Sequence, residues 1–301
     1  MIEAGFRSGL VTLLGRPNVG KSTLLNRLIG AKISITSRRP QTTRHRIIGI
    51  KTTASAQLVY VDTPGVHRPQ GRRINRYMSR IASGSVEGVD CIVLVISAQG
   101  WRKEDEAALA LAGRQSIPVV LAINKIDRIG DRRRLLPLIA ESDGRMRFAE
   151  IVPVSAHTGE NLDALERALL VHLPEQPPIY PAEQLTDKSE RFLASELVRE
   201  QVFGAYGEEI PYAAAIEVTR FKRLKGVLEV EATIWVEKEG QKAIIIGRGG
   251  ERLKQVGTRA RLAMQRQFGT KVRLALWVKV REDWADDARA LERFGYTEEP
   301  V

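Results

Sequence analysis

Gly15-Arg16-Pro17-Asn18-Val19-Gly20-Lys21-Ser22 is the stretch that decides the fold of the first part of this chain. It fits the phosphate-binding pattern G-x-x-x-x-G-K-[ST] at each fixed position. The apolar run 10–14 before it predicts a buried strand, and 22–29 after it predicts a helix. A strand, a glycine-rich loop and a helix in this order direct backbone N–H groups at one anion. We therefore expect a P-loop in which Lys21 reaches the terminal phosphates and Ser22 ligates Mg²⁺.

A second motif, Asn124-Lys125-Ile126-Asp127, indicates which base is bound. It follows the apolar run 119–123, so it is expected at the carboxyl edge of a parallel sheet, where such sheets bind ligands. The Asp127 carboxylate can accept hydrogen bonds from guanine N1–H and the 2-amino group, and adenine lacks that pair of donors. Ser155 and Ala156, after the strand 151–154, resemble the S-A-x loop that accompanies this motif in GTPases, which implies a contact with the base through a backbone N–H. The nucleotide is therefore predicted to be GTP or GDP.

Two segments have the character of nucleotide switches. Asp62-Thr63-Pro64-Gly65 ends the strand 58–61, which places Asp62 to hold the Mg²⁺ water shell and the Gly65 N–H to sense the γ-phosphate. The polar, Arg-rich stretch 66–84 after it is predicted to be a mobile switch that the γ-phosphate orders. The other switch, 32–44, contains Gln41-Thr42-Thr43-Arg44. One of its threonines, Thr43 in preference to Thr42, is expected to complete the Mg²⁺ coordination.

Val66 occupies the position after the switch glycine where many GTPases carry a glutamine that orients the attacking water. A valine side chain has no donor or acceptor, so positioning and charge must come from elsewhere. Asn18 in the P-loop is informative here, because in GTPases that combine this asparagine with a hydrophobic residue a K⁺ ion can replace the arginine finger. We predict slow intrinsic GTP hydrolysis that K⁺ stimulates, with Asn18 as a K⁺ ligand.

Length and composition favour two cytoplasmic domains. A chain of 301 residues is long for one GTPase domain, and 43% apolar residues support packed cores. It contains no apolar run of 18 residues, and its first residues do not resemble a signal peptide. A single cysteine, Cys91 in an apolar strand, predicts a core residue and excludes disulfides within the chain.

The proline-rich stretch 173–178 predicts the domain boundary. We assign 1–174 to a GTP-binding domain, 175–188 to a linker and 189–301 to a second domain. The chain carries a net charge of +11, and residues 242–281 hold 11 basic residues against one acidic residue. Such a block inside an otherwise near-neutral domain is typical of a nucleic-acid contact.

The basic block contains the pattern G-x-x-G as Gly247-Arg248-Gly249-Gly250. An apolar segment precedes it, and a basic amphipathic helix, 251–268, is predicted to follow. Helix 189–203, strands 213–221, 227–236 and 271–280, and a final helix 284–294 complete the predicted order. This arrangement resembles a type II KH domain, whose loop clamps about four nucleotides. The residues expected to contact RNA are Ile244, Ile245, Ile246, Gly247, Arg248, Gly249, Gly250, Arg252 and Lys254.

The whole chain, an α/β P-loop GTPase domain with a mostly parallel sheet followed by a smaller α+β KH domain, resembles the Era subfamily of the TrmE–Era GTPases. The matching motifs are GRPNVGKS, QTTR, DTPG, NKxD, SA and the C-terminal GxxG. The resemblance implies a monomeric GTPase that binds the 3′ end of 16S rRNA rather than DNA. It further implies a role in 16S rRNA processing and small (30S) subunit assembly, with RNA bound in the GTP state and released in the GDP state. Attachment to the cytoplasmic face of the inner membrane is also implied.

Rival functions need features that the sequence does not offer. A metabolic kinase would need an acceptor-substrate site and would have no use for an N-K-x-D motif or a KH module. A tRNA-modifying GTPase brings a modifying domain and a catalytic cysteine, and a membrane-targeting or protein-export GTPase brings a Met-rich helical domain or an amphipathic anchor. The alternative that stays open is a membrane-associated regulatory GTPase in cell-cycle control.

Overall fold

The computed structural model describes residues 5–37, 39–66, 72–207 and 209–296. It divides the chain into two compact units. The first comprises the described parts of 1–69 and 78–187, and the second those of 70–77 and 188–300. No helix within the described ranges is long and apolar enough to cross a membrane.

The first unit is a six-stranded sheet with helices. Its strands are β1 (Arg7–Leu14), β2 (Ile47–Thr52), β3 (Ala56–Asp62), β4 (Cys91–Ser97), β5 (Val119–Asn124) and β6 (Glu150–Val154). The helices in residues 1–187 are α1 (Lys21–Ile29), α2 (Arg73–Gly84), α3 (Glu106–Gly113), α4 (Leu135–Asp143) and α5 (Leu162–Leu170), and the first five residues of α2 belong to the second unit. The strand order is β2-β3-β1-β4-β5-β6, and only β2 runs antiparallel to its neighbour. The central strands read as continuous apolar runs, since a parallel sheet is buried on both faces.

Cys91 opens β4 and is fully buried, as the sequence predicts. Burial raises the pKa of its thiol to about 12, so the side chain behaves as a small apolar residue.

The stretch 66–84, predicted to be a mobile switch, contains a helix in its described part. Residues 67–71 lie outside the described range, but Arg73–Gly84 forms the helix α2. Its apolar residues Ile74, Tyr77, Met78 and Ala82 recur at helical spacing and are buried. The periodicity of these few apolar positions, rather than the dense arginines, decides the structure of this part of the stretch.

The segment after α5 packs onto the first unit. The Gln57 side-chain oxygen accepts hydrogen bonds from the backbone N–H groups of Ile179 and Tyr180, at 2.8 and 2.9 Å. Further along, the Ile50 N–H donates to the Leu185 carbonyl at 2.9 Å, and Gly49 forms an antiparallel bridge with Thr186. The proline-rich segment therefore covers the free edge of β2.

The second unit is a three-stranded sheet covered on one face by helices. The elements are α6 (Glu190–Ala205), α7 (Ile210–Ala213), β7 (Ala215–Leu224), β8 (Val227–Val236), α8 (Glu239–Ile246), α9 (Glu251–Phe268), β9 (Lys271–Val280) and α10 (Ala288–Arg293). The strand order is β7-β8-β9, with β7 antiparallel and β9 parallel to β8. The alternate residues of β8 from Leu228 to Val236 face the helices and form the core with Val198, Val256 and Met264. Helix α10 is shorter than the predicted 284–294.

Candidate functional site

The P-loop requires glycine at two positions. A Cβ on Gly15 would lie 2.4 Å from the Val95 carbonyl oxygen, and a Cβ on Gly20 would lie 2.4 Å from Nδ2 of Asn124. Both residues also adopt positive φ angles, 148° and 105°. Helix α1 begins immediately afterwards at Lys21. The loop therefore approaches the ends of β4 and β5 closely and directs the N-terminus of α1 into the site.

Lys21 is held ready for an anion. Its side chain is 6% exposed, and Nζ donates hydrogen bonds to the carbonyl oxygens of Gly15 and Arg16, at 2.9 and 3.2 Å. Burial lowers the pKa of Lys21 to about 8, an effect that the nearby Asp62 partly opposes. A phosphate at this place would supply the negative charge that the buried ammonium lacks.

Three oxygen-bearing side chains from separate segments converge beside the P-loop. The Ser22 Oγ lies 2.8 Å from Oγ1 of Thr43 and donates to Oδ2 of Asp62 at 2.6 Å. Thr42 turns away and donates to the Arg39 carbonyl. The geometry thus places Thr43, the threonine that the sequence favours, next to the predicted magnesium ligands.

The chemistry of this cluster fits Mg²⁺. Asp62 is completely buried, its Oδ1 has no hydrogen-bond partner, and burial raises the pKa of the carboxyl group. A hard cation beside Ser22, Thr43 and this carboxylate would satisfy the orphaned oxygen with the ligand type that Mg²⁺ prefers.

Two polar contacts around the phosphate end were not foreseen from the sequence. The buried Ser34 hydroxyl donates to Oδ2 of Asp62 at 3.0 Å. The Arg16 side chain donates through Nε to the buried Asp105 carboxylate, 3.1 Å from Oδ1 and 3.2 Å from Oδ2. Ser34 and Asp105 stand in no recognisable motif, so only the tertiary structure reveals them.

The segment after Asp62 lies against the P-loop. A Cβ on Gly65 would lie 2.7 Å from the backbone nitrogen of Pro17, so a larger residue would have to displace the loop. The next residue, Val66, donates its N–H to the Gly15 carbonyl at 3.3 Å and packs against the core that surrounds β4 and β5. Thr63 and Pro64, between them and β3, are buried.

The base-recognition residues are brought together at the ends of β5 and β6. The Asn124 side chain donates to the Val19 carbonyl at 2.8 Å and accepts from the Ala156 N–H at 2.9 Å, which ties the P-loop to the Ser155-Ala156 loop. The Ser155 hydroxyl donates to Oδ1 of the exposed Asp127 at 2.6 Å. This contact orients the carboxylate that is predicted to accept from guanine.

Lys125 and Ile126 complete this motif. Lys125 has a φ of 71° and donates from Nζ to the carbonyl of Asn18, while burial lowers its pKa. Ile126 is buried and anchors the motif in the core. An open cleft lies between the P-loop and the base-recognition motif. Its lining includes Asn18, Gly20, Thr23, Lys125 and Arg128.

The G-x-x-G loop joins two helices of the second unit. Helix α8 ends at Ile246 and α9 begins at Glu251, and between them Gly247, Gly249 and Gly250 have φ angles of 73°, 60° and 79°. Open space surrounds the Cα atoms of Gly249 and Gly250. Arg248, Arg252 and Lys254 are exposed around the loop. A backbone turn without side chains, a helix N-terminus and three cations suit a sugar-phosphate chain.

The three isoleucines before the loop have different environments. Ile244 is 47% exposed, Ile246 is half-buried against the core, and Ile245 is fully buried in it. The expectation that all three contact RNA therefore needs correction, because the Ile245 side chain lies in the core. Its carbonyl oxygen accepts a hydrogen bond from the Tyr206 hydroxyl at 2.7 Å.

Comparisons with known proteins show which family the chain is similar to. Residues 10–125 match the family model described as 50S ribosome-binding GTPase, and residues 209–285 match the KH domain model. GTPase Era of Xanthomonas axonopodis pv. citri is 54% identical over 296 residues, covering 98% of this chain and 99% of that protein. GTPase Era of Stenotrophomonas maltophilia is 54% identical over 288 residues, covering 96% and 97%.

Two solved structures are similar over nearly the full length. One is an Era variant from Aquifex aeolicus bound to GDP·AlF4⁻, and the other is Era in complex with MgGDPNP and nucleotides 1506–1542 of 16S ribosomal RNA. Each has a TM-score of 0.93 and 40% sequence identity, and covers 97% of this chain and 99% of its own.

The fold and the site together define a P-loop GTPase that carries a C-terminal KH domain. With half of its residues identical to relatives matched along their whole length, the chain belongs to the Era family of GTPases.

Proposed function

We propose that this GTPase binds the 3′ end of 16S rRNA through its KH domain and acts in 16S rRNA processing and 30S subunit assembly. The GTP state binds the RNA and the GDP state releases it. The observation that carries the proposal is the presence, in one chain, of a guanine-nucleotide site and an open G-x-x-G loop. A relative with this architecture was crystallised with MgGDPNP and 16S rRNA nucleotides 1506–1542.

The substrate is GTP, and the residues divide its recognition between two ends. The backbone of 15–22 and the Lys21 ammonium hold the phosphates, because they combine N–H donors with a buried positive charge. Asp127, oriented by Ser155, accepts hydrogen bonds from the guanine edge. Asn124 holds the P-loop and the Ser155-Ala156 loop together. The Gly65 N–H contacts the γ-phosphate and so distinguishes GTP from GDP.

Magnesium would be held by Ser22 and Thr43, with Asp62 acting through its water shell. When bound it neutralises charge on the β- and γ-phosphates during phosphoryl transfer. The protein's own contribution is to fix these oxygens. Ser34 and the strand β3 hold Asp62, and Thr43 lies beside Ser22, 2.8 Å between the two hydroxyl oxygens.

Hydrolysis is expected to be slow and to depend on K⁺. Val66 packs into the core and offers no side-chain group to the attacking water. Asn18 is exposed beside the phosphate site, where its side chain can ligate a monovalent cation. Phosphate release measured in K⁺ and in Na⁺ at equal ionic strength tests this proposal. Equal rates in the two salts would remove the K⁺ site.

The link between the two functions runs through the segment after α5. Its Asp187 carboxylate accepts from the Ile48 N–H at 3.2 Å, and Thr186 pairs with Gly49. Strand β2 follows the switch that carries Thr43, so ordering of the switch acts on the strand to which this segment is hydrogen-bonded. RNA must then favour GTP by the same factor by which GTP favours RNA.

The experiment that tests the proposal measures affinity for an RNA of nucleotides 1506–1542 with GDP and with a non-hydrolysable GTP analogue, at fixed salt. Gly249→Asp places a negative charge in the loop without a steric clash. Gly88→Asp is the matched control, since Gly88 lies in the first unit with a similar φ and open surroundings. We expect GTP-favoured binding that only Gly249→Asp weakens, with nucleotide affinity unchanged. Equal affinity in both nucleotide states would refute the switch, and indifference to Gly249→Asp would refute the KH contact.

Monomeric action and peripheral attachment to the inner membrane complete the proposal. The net charge of +11 supports attraction to anionic lipid headgroups. Light scattering gives the oligomeric state, and co-sedimentation with anionic vesicles at physiological salt tests the attachment. A dimer would contradict monomeric action, and protein that stays in the supernatant would contradict attachment to the membrane.

A further inference from the structure

The sheet of the second unit has one face that no helix of the core covers. On β9, Val272 and Val278 point into the core, whereas Lys271, Arg273 and Lys279 on the opposite face are exposed. Trp277 lies on this outer face with 45% of its surface exposed, and β9 is an edge strand. The outer face of β9 therefore presents a partly exposed indole ring, with basic side chains before and after it on the same face of the strand.

The neighbouring tryptophan on the same face, Trp235, has the hydrogen-bond and packing partners that are typical of a structural indole. Trp235 donates from Nε1 to Glu217 and lies against Phe294, with ring centroids 5.8 Å apart. Arg293 and Lys279 stand over its ring at 5.6 and 5.8 Å. Within the described part of the chain, neither a ring nor a cation stacks on Trp277. Its neighbour along the strand on this face, Ala275, is small and leaves the ring accessible.

The charge of the outer face indicates an anionic partner. Its strands carry five basic residues against three acidic residues: Arg220, Lys222, Lys271, Arg273 and Lys279 against Glu217, Glu229 and Glu231. Arg293, at the end of α10, adds a sixth basic residue beside Glu217. The arginines form ion pairs with these glutamates. The three lysines make no ion pair with any described residue, and Lys279 has only its contact with the Trp235 ring, so an anionic ligand can still bind them.

An aromatic ring beside unpaired lysines is the combination by which proteins hold single-stranded nucleic acid, with bases on the ring and phosphates on the cations. Side chains on one face of a strand repeat at about 6.6 Å, so Trp277 and Lys279 can engage one nucleotide and its neighbouring phosphate. An apolar protein partner would require a wider apolar area than one indole.

We propose that the outer face of β9 is a second RNA contact, in which an unpaired base stacks on Trp277 and the neighbouring phosphate binds Lys279. Lys271, about 20 Å from Trp277 along the strand, binds a phosphate further along the RNA. This inference rests on the proposed RNA-binding function. The G-x-x-G loop lies on the helix-covered side of the sheet, because α8 and α9 pack on the inner face. An RNA that extends beyond the loop reaches the second contact by crossing the edge of β9.

The test uses the full-length protein in its GTP-analogue state with two RNAs. One is nucleotides 1506–1542 of 16S rRNA, and the other is a single-stranded oligonucleotide of about four to six nucleotides with its 3′ sequence, which fills only the KH loop. Trp277→Ala is expected to weaken binding of the long RNA about tenfold, as loss of one stacked base does, and to leave the short one unchanged. Trp277→Phe keeps a ring and should retain most of the affinity.

Two further variants separate stacking and charge from general effects. Leu224→Ala removes an exposed apolar side chain at the opposite edge of the same face and should leave both affinities unchanged. Affinity falls as salt rises, and Lys271→Gln combined with Lys279→Gln should make this dependence less steep. The magnitude of the slope of log affinity against log salt should decrease by about 1.4 for the long RNA.

Several outcomes would overturn the inference. Unchanged affinity of Trp277→Ala for the long RNA removes the contact, and an equal loss for both RNAs means that the substitution acts on the KH fold. If Trp277→Ala loses binding to anionic phospholipid vesicles but still binds both RNAs, the partner of this face is a membrane and the inference is wrong. If Gly249→Asp leaves the short oligonucleotide bound, the proposed function fails instead, whatever Trp277→Ala does.

Discussion

Removing one hydroxyl, in Tyr206→Phe, should loosen the end of the helix that leads into the G-x-x-G loop. The Tyr206 hydroxyl donates to the Ile245 carbonyl at 2.7 Å, and the residue is 2% exposed. The last four carbonyls of a helix have no partner within the helix, so this side chain satisfies one that α8 cannot. Burial raises the pKa of Tyr206, which keeps the phenol protonated and able to donate.

The magnitude follows from what phenylalanine leaves behind. The ring and its packing remain, and only the donor is lost, so the cost is that of a buried carbonyl without a partner, about 1–3 kcal/mol. We expect about 1.5 kcal/mol less free energy of unfolding for the second unit. With a urea dependence of about 1–3 kcal/mol/M for a domain of this size, the unfolding midpoint should fall by about 0.5–1.5 M.

Tryptophan emission provides the assay, because Trp235, Trp277 and Trp284 lie in the second unit and only Trp101 lies in the first. Affinity for GDP serves as the control and should not change, since Tyr206 lies outside the GTPase unit. Hydrogen exchange at the Gly247 amide, which bonds to the Ala243 carbonyl, should quicken. A midpoint shift below about 0.2 M would refute the view that this hydrogen bond secures the loop.

Three further predictions concern the GTPase unit. Gly65→Ala should slow GTP hydrolysis at least tenfold and affect GDP affinity less, because the added methyl would press on Pro17; phosphate release measures it. Asp62→Asn should abolish most of the Mg²⁺ dependence of nucleotide affinity, as a titration with and without chelator will establish. Cys91 should resist an aromatic disulfide reagent at pH 8 until urea unfolds the protein. Because burial raises its pKa to about 12, its contribution to stability should be lost as the pH rises above about 9.

Elements bounded by local signals could be predicted closely from the sequence. Helix α9 begins and ends where predicted, at Glu251 and Phe268, because Gly250 and Gly269 flank it in the left-handed conformation. Strands β8 and β9 also have the predicted bounds, since their alternating apolar residues match a sheet with one covered face. In these segments the residues that decide the structure are neighbours in the chain.

Predictions failed where distant packing decides. The sequence does not indicate that Ile245 lies in the core while Ile244 is exposed, since three adjacent isoleucines look alike until the helix orientation is known. Nor can it pair Arg16 with Asp105, or Ser34 with Asp62, because each pair joins segments that only the sheet brings together. The P-loop residues are predictable from their spacing, but the partners that position them are not.

The segment from 175 to 187 illustrates the same limit in a way that bears on function. Its prolines mark stiffness, and composition alone describes it as a spacer. An edge strand, however, leaves backbone groups that need partners, and β2 is such a strand. Leu185 and Asp187 accept from the Ile50 and Ile48 N–H groups, so the spacer is also the cover of that edge. Because β2 follows the switch that carries Thr43, closure of the switch and attachment of the segment act on one strand. We therefore expect a change at the nucleotide to alter the chain just before the second unit begins.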